Sequence, residues 1–109
     1  MDVVFFRDVN DEEIKMAGDV WENHIKVDHP EMTVEIIGNV LKTPSVVCSS
    51  QHENMKNYKL YYQGPWKNKM EKKRYFRVVV KICNDGNWIS TAHTRSSVSC
   101  GIILFQEGK

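Results

Sequence analysis

Tyr75-Phe76-Arg77-Val78-Val79-Val80-Lys81-Ile82-Cys83 is the stretch on which the fold turns. Its period is two, which predicts a long strand with Phe76, Val78, Val80 and Ile82 on one face and Tyr75, Arg77, Val79 and Lys81 on the other. Asn84-Asp85-Gly86-Asn87 follows as a tight turn, and Trp88-Ile89-Ser90-Thr91-Ala92-His93 returns antiparallel. Upstream, Tyr58-Lys59-Leu60-Tyr61-Tyr62-Gln63 and Ser45-Val46-Val47-Cys48-Ser49-Ser50 read as two further strands. Gly64-Pro65 opens a long basic turn that runs to Lys73, and a last apolar strand is expected at Gly101-Ile102-Ile103-Leu104-Phe105.

The first half reads differently. After a short strand at Val3 to Phe6, the acidic run Asn10-Asp11-Glu12-Glu13 has the composition of a helix N-terminus with Asn10 as cap. Ile14, Ala17, Val20 (or Trp21), His24 and Ile25 recur at three and four, which predicts a first helix with one buried stripe. His29-Pro30 ends or bends it, and Pro30 suits the first turn of a second helix. Met32, Ile36, Ile37, Val40 and Leu41 give that helix its apolar face, before Thr43-Pro44 stops it. The predicted fold is α+β, with N-terminal helices packed on one face of a four- or five-stranded antiparallel sheet.

At 109 residues and 41% apolar content, residues 1–109 suffice for one domain and one modest core. No apolar run reaches the ~18 residues of a membrane span, and Met1-Asp2-Val3-Val4-Phe5-Phe6 does not read as a signal peptide. Cys48, Cys83 and Cys100 form no Cys-x-x-Cys pair, so they are read as structural thiols of a chain kept in the cytoplasm. Cys48 and His52 lack a zinc-type setting, and no metal or other cofactor is expected.

The net charge of +1 hides a polarised distribution. Residues 1–55 carry eleven acids and four bases, whereas residues 56–81 carry nine bases (Lys56, Lys59, Lys67, Lys69, Lys72, Lys73, Arg74, Arg77, Lys81) against Glu71 alone. Such a segment concentrates anions, with RNA or DNA phosphates as the usual target, although a solvated basic turn that only keeps a hairpin soluble has the same composition. If the helices cover the Phe76 face, Arg77 and Lys81 stand on an open face. With Leu60 and Tyr62 turned inward, Lys59 and Tyr61 lie beside those cations, where a base can stack on the ring. Of the four histidines, His24 falls on the helix stripe and His52 in a polar turn. His29 sits at a helix junction held by Pro30, and His93 closes a strand beside Thr91 and Thr94.

His29-Pro30-Glu31-Met32, Thr43-Pro44-Ser45-Val46-Val47, Leu60-Tyr61-Tyr62, Tyr75-Phe76-Arg77-Val78-Val79-Val80-Lys81 and Ile89-Ser90-Thr91-Ala92, in that order, resemble small phage and toxin-associated nuclease-like domains of the barnase, EndoU, colicin and RelE-like group. The resemblance covers about residues 20–95. It implies a metal-independent endoribonuclease, in which a ribose 2′-hydroxyl attacks the adjacent phosphate to leave a cyclic phosphate. By the same resemblance His29 matches the His-Pro position as base or acid and Arg77 stabilises phosphate charge, with Lys59 and Lys81 in support. Thr91 donates to a phosphate oxygen, and His93 stands where the family often has an aromatic residue, as a second acid–base group or as the sign of an altered site. Arg74 adds to the RNA-binding charge. The implied setting is a toxin of a toxin–antitoxin or phage-conflict pair, with RNA and a cognate antitoxin as partners. A non-catalytic RNA-, DNA- or protein-binding module, and an immunity-type protein that docks through its acidic helices, are the other readings of the same residues.

Overall fold

The computed structural model describes residues 2–52 and 57–108; Lys56 of the basic segment and Glu53 and Asn54 of the polar turn lie outside them. Within the described residues seven strands form one mixed sheet in the order β1-β2-β6-β5-β4-β3-β7. They are β1 Val3–Arg7, β2 Glu13–Ala17, β3 Val46–Ser49, β4 Tyr58–Lys67, β5 Lys73–Cys83, β6 Gly86–Arg95 and β7 Ile103–Gln106. Helix α1 spans 18–28, with a wider π turn at Trp21–Ile25 between short α segments, and α2 is Val34–Lys42. All strand pairs are antiparallel except β2 with β6, which run parallel through Ile14↔Asn87 and Lys15↔Trp88.

The expected four- or five-stranded antiparallel sheet under two helices is therefore corrected to a larger, mixed sheet with two short helices. The difference begins at residues 8–17. Asp8, not Asn10, organises the acidic run: its Oδ1 accepts from the backbone N–H groups of Asn10 and Glu12 at 2.9 Å each, and Asp11 takes a left-handed φ of 62°. That is the chemistry of a turn, in which a carboxylate ties down its own backbone. Ile14 and Met16, two residues apart, are both fully buried, so the strand period prevails over the helical one.

The second helix also starts later than Pro30. Thr33 caps it, its Oγ1 accepting from the Ile36 N–H at 3.0 Å, and Ile37, Val40 and Leu41 are buried beneath it. Pro30 and its neighbours form the connection, closed by a Met32 N–H to His29 carbonyl bond of 3.0 Å. The basic turn expected from Gly64 to Lys73 is shorter, because β4 continues to Lys67. Asn68 then holds the turn through bonds to the Met70 and Lys72 N–H groups.

Val78, Val79 and Val80 are consecutive and all buried, so both faces of β5 are covered. On the helix-covered face the main core gathers Ile14, Met16, Ile25, Ile37, Val40, Leu41, Tyr61, Val78, Val80 and Ala92. On the other face a smaller cluster joins Val46, Cys48, Leu60, Tyr62 and Val79. Its cover is the segment 96–102, which leaves β6 and crosses to β7 at the far edge. Tyr62 holds this strap, its hydroxyl donating to the Ser99 carbonyl at 3.2 Å and accepting from the Ser99 N–H at 3.3 Å. The Gly101 and Ile102 N–H groups donate to the backbone oxygen and Oγ of Ser49. Cys100 is joined to Cys48 by a disulfide and only Cys83 is free, so the expectation of three thiols is corrected. Among the described residues no helix is long and apolar enough to cross a membrane.

Tyr61 shows how the β4 register was set. It pairs with Val78 and lies fully buried, which places Tyr61 and Lys59 on the helix side and Leu60 and Tyr62 on the strap side, the reverse of the expected assignment. The phenol donates to Asp8 Oδ2 at 2.6 Å, and burial followed by that carboxylate pushes its pKa well above the usual tyrosine range. Asp8, itself 1% exposed, thus accepts from three donors at once and ties the β1–β2 turn to the sheet centre. Tyr61→Phe is expected to cost about 1–3 kcal/mol by removing a charge-assisted bond. Asp8→Ala is expected to cost more, because it orphans a buried hydroxyl and two amides; urea denaturation of the two variants measures the order.

Candidate functional site

The β5–β6 pairing slips between Val79↔Thr91 and Val80↔Ile89, which leaves Ser90 as an extra residue. The bulge changes the phase of β6. Ile89 before it and Ala92 after it, three apart, both enter the main core, while Thr91, His93 and Arg95 turn to the strap side with their partners Val79, Arg77 and Tyr75. An unbroken strand would put Ile89 and Thr91 on one face.

Helix α1 runs on from β2 and packs against β6, burying Ile25 and carrying His24 over the sheet edge. His24 Nε2 lies 2.9 Å from Thr91 Oγ1, and its Nδ1 lies 3.0 Å from Asp28 Oδ2, one helical turn on. With Asp28 accepting from Nδ1–H, the Nε2 of the neutral ring accepts the Thr91 hydroxyl proton. At the end of α1 the His29 ring stands edge-on between two others, 5.5 Å from His24 and 5.2 Å from His93, centroid to centroid. His29 is half-buried, and among the described residues no group bonds to its ring nitrogens.

His93 is held differently. Arg77 Nε–H donates to His93 Nε2 at 2.8 Å, and Arg77 Nη1 donates to the Tyr62 hydroxyl at 3.3 Å. Accepting at Nε2 fixes the ring proton on Nδ1. Burial first, then the positive charge of Arg77 and the neighbouring histidines and Arg95, lowers the His93 pKa to about 4. Its basic nitrogen is thus already engaged, and His93 serves here to orient Arg77.

Four of the residues singled out from sequence, His29, Arg77, Thr91 and His93, are brought together on one edge of the strap-side face. The others are not. Tyr61 is in the core and cannot stack a base, and Lys59 is on the helix side, its Nζ 3.2 Å from Glu12 Oε1. Arg74 faces away from Arg77 and donates to Thr94 Oγ1 at 2.9 Å. Lys81 shares the Arg77 face but sits four residues further along β5, about 13 Å at the rise of a strand, and is exposed. Sequence reasoning passed over His24, Asp28, Tyr62 and Arg95. The signal for His24 was its i,i+4 spacing to Asp28, and for Arg95 its i+2 spacing to His93.

The face can do three things chemically. Arg77 and Arg95 supply fixed positive charge for an anion; His29 offers unengaged nitrogens for proton transfer; and the Asp28–His24–Thr91 chain fixes a hydroxyl. Among the described residues no group of three or more His, Cys, Asp or Glu is arranged to hold a metal ion.

Because His93 takes up a proton more readily in the unfolded chain than in the fold, its contribution to stability is intact above about pH 6.5 and is lost as the pH falls toward 4. The urea midpoint of wild type is therefore expected to fall between pH 7 and 4.5 by more than that of His93→Gln. Parallel lines for the two proteins over that range overturn the assignment of a neutral His93.

Comparison with known proteins returns no match: no family model, no curated protein and no solved structure is significantly similar to this chain.

Proposed function

We propose that the chain is an endoribonuclease that works without a metal ion, with its acid–base chemistry at His29 and His24. The observation that supports this reading is the packing of His29, with both ring nitrogens unengaged among the described residues, between His24 and the Arg77-bound His93. In the proposed step the ribose 2′-oxygen forms a bond to phosphorus while the bond to the 5′-oxygen breaks. One histidine takes the 2′-hydroxyl proton and the other, protonated, gives a proton to the leaving oxygen. Arg77 and Arg95 neutralise the charge on the non-bridging oxygens, and Arg77 is aimed by His93 and Tyr62. When His24 is the protonated partner its Nε2–H donates to Thr91 Oγ1, and the Thr91 hydroxyl proton is then free for a phosphate oxygen. A place in a toxin–antitoxin or phage-conflict pair rests on the sequence resemblance alone.

The competing reading is a phosphate-binding module without cleavage. One observation favours it: both nitrogens of His24, and the basic nitrogen of His93, are already bonded within the protein.

RNA incubated with the protein in excess EDTA decides between them. Cleavage with cyclic-phosphate ends is expected, and His29→Ala is expected to reduce its rate by ~10²-fold or more while RNA binding and thermal stability stay near wild type. Arg77→Ala is expected to weaken both binding and cleavage, and the affinity is expected to fall steeply with salt. Intact RNA at high protein concentration, or full activity in both His29→Ala and His24→Ala, overturns the catalytic reading.

A further inference from the structure

A concavity lies on the same face, with Arg77 in its wall. Its volume is about 240 Å³, and it is bounded by the sheet, the strap and the segment that follows β3. Leu60 and Val79, paired directly across β4 and β5, make an apolar floor. Ser50, Gln51 and Ser99 make a polar rim, where Gln51 Nε2 donates to Ser99 Oγ at 3.0 Å and leaves its amide oxygen and second N–H unused by that bond. His52 adds an exposed ring, and Arg77 and Arg95 close the wall with two positive charges.

We propose that this cavity is a nucleobase pocket, which holds the base of the nucleotide whose phosphate sits at Arg77. The inference deepens the proposed ribonuclease reading and rests on it for the identity of the ligand. Three features of the cavity select this occupant. An inorganic anion has no use for the Leu60–Val79 floor, and a wholly apolar ligand would leave Arg77 and Arg95 desolvated without a counter-charge. The volume is below the ~300–1,000 Å³ of sites for drug-sized molecules, which suits a single ring system. A nucleotide matches each part: flat apolar faces for the floor, donors and acceptors on the ring edge for Gln51, and an anion beside the guanidinium groups.

Arg77 then has two duties. It joins the pocket to the histidine cluster, so a base seated on Leu60 and Val79 sets where along an RNA strand the phosphate meets His29. The proposal therefore assigns base preference to residues 50–51 and 99, away from the proton-transfer groups.

Calorimetric titration of the full chain with inorganic phosphate and with the four nucleoside 3′-monophosphates tests this. The nucleotides are expected to bind roughly tenfold or more tighter than phosphate, as stacking and burial of a base supply, and to differ among themselves. Val79→Phe, which fills the cavity, is expected to bring nucleotide affinity down to that of phosphate. Gln51→Ala, on the exposed rim and so independent of whether the core variant folds, is expected to lose about threefold or more for the preferred base. Equal affinity of all five ligands overturns the pocket, as does a nucleotide advantage that survives in both variants. The two readings fail separately. RNA cut in EDTA with no base preference keeps the nuclease and removes the pocket, whereas selective nucleotide binding without cleavage keeps the pocket and removes the nuclease.

Discussion

Three consecutive buried valines in the middle of the sheet constrain everything around them. Side chains alternate along a strand, so Val78 and Val80 need a cover on one face and Val79 needs one on the other. Helix α2 and the N-terminal elements provide the first cover. The second is a strap with no regular structure, and such a segment lies on an apolar face only if its backbone polar groups are met. Tyr62 and Ser49 meet that requirement, and the Cys48–Cys100 bond tethers the strap to β3. The candidate site lies beside that strap-covered cluster, with Arg77 and Thr91 on either side of the β5–β6 pair that carries Val79.

The site itself depends on one extra residue. Ser90 absorbs a phase change in β6 that lets Ile89 and Ala92 serve the core while Thr91, His93 and Arg95 serve the opposite face. Bulges re-aim side chains in this way at functional edges of sheets. The electrostatics follow from the crowding: two guanidinium groups and three imidazoles share a half-covered surface, and His93 answers by staying neutral and accepting from Arg77. Among the described residues only Asp28 brings a negative charge to the histidines, through His24.

Much of the sheet was legible because the signals were local. The alternation of β5, the Asn84–Asn87 turn and the apolar runs of β3 and β7 need no distant partner to be read. What failed was whatever depended on one. Ile14 fits a helical stripe with Ala17 and a strand with Met16 equally well, and parallel pairing with β6 decides between them. Tyr61 and Tyr62 are adjacent and alike, and the choice of which goes inward is made by Asp8, which waits in the core to accept a phenol. With that choice reversed, Lys59 and Tyr61 were assigned to the wrong face. His29, Arg77, Thr91 and His93 were singled out together through the resemblance, and the bulge that sets three of them against one another has no mark in the sequence beyond the three-residue spacing of Ile89 and Ala92.

The parallel contact of β2 with β6 also orders the events by which the molecule forms. Ile14 finds Asn87 only when most of the chain lies between them, and pairings of such separation are slow to nucleate, because the loop must close before any contact rewards it. The β1–β2 hairpin and α2 can form early from neighbouring residues. The histidine cluster cannot, since His24 and His29 come from one side of that closure and Thr91 and His93 from the other. During synthesis on a ribosome, the nascent chain thus carries its helices and β1 to β5 before it carries the histidine cluster, which is assembled only once β6 has emerged.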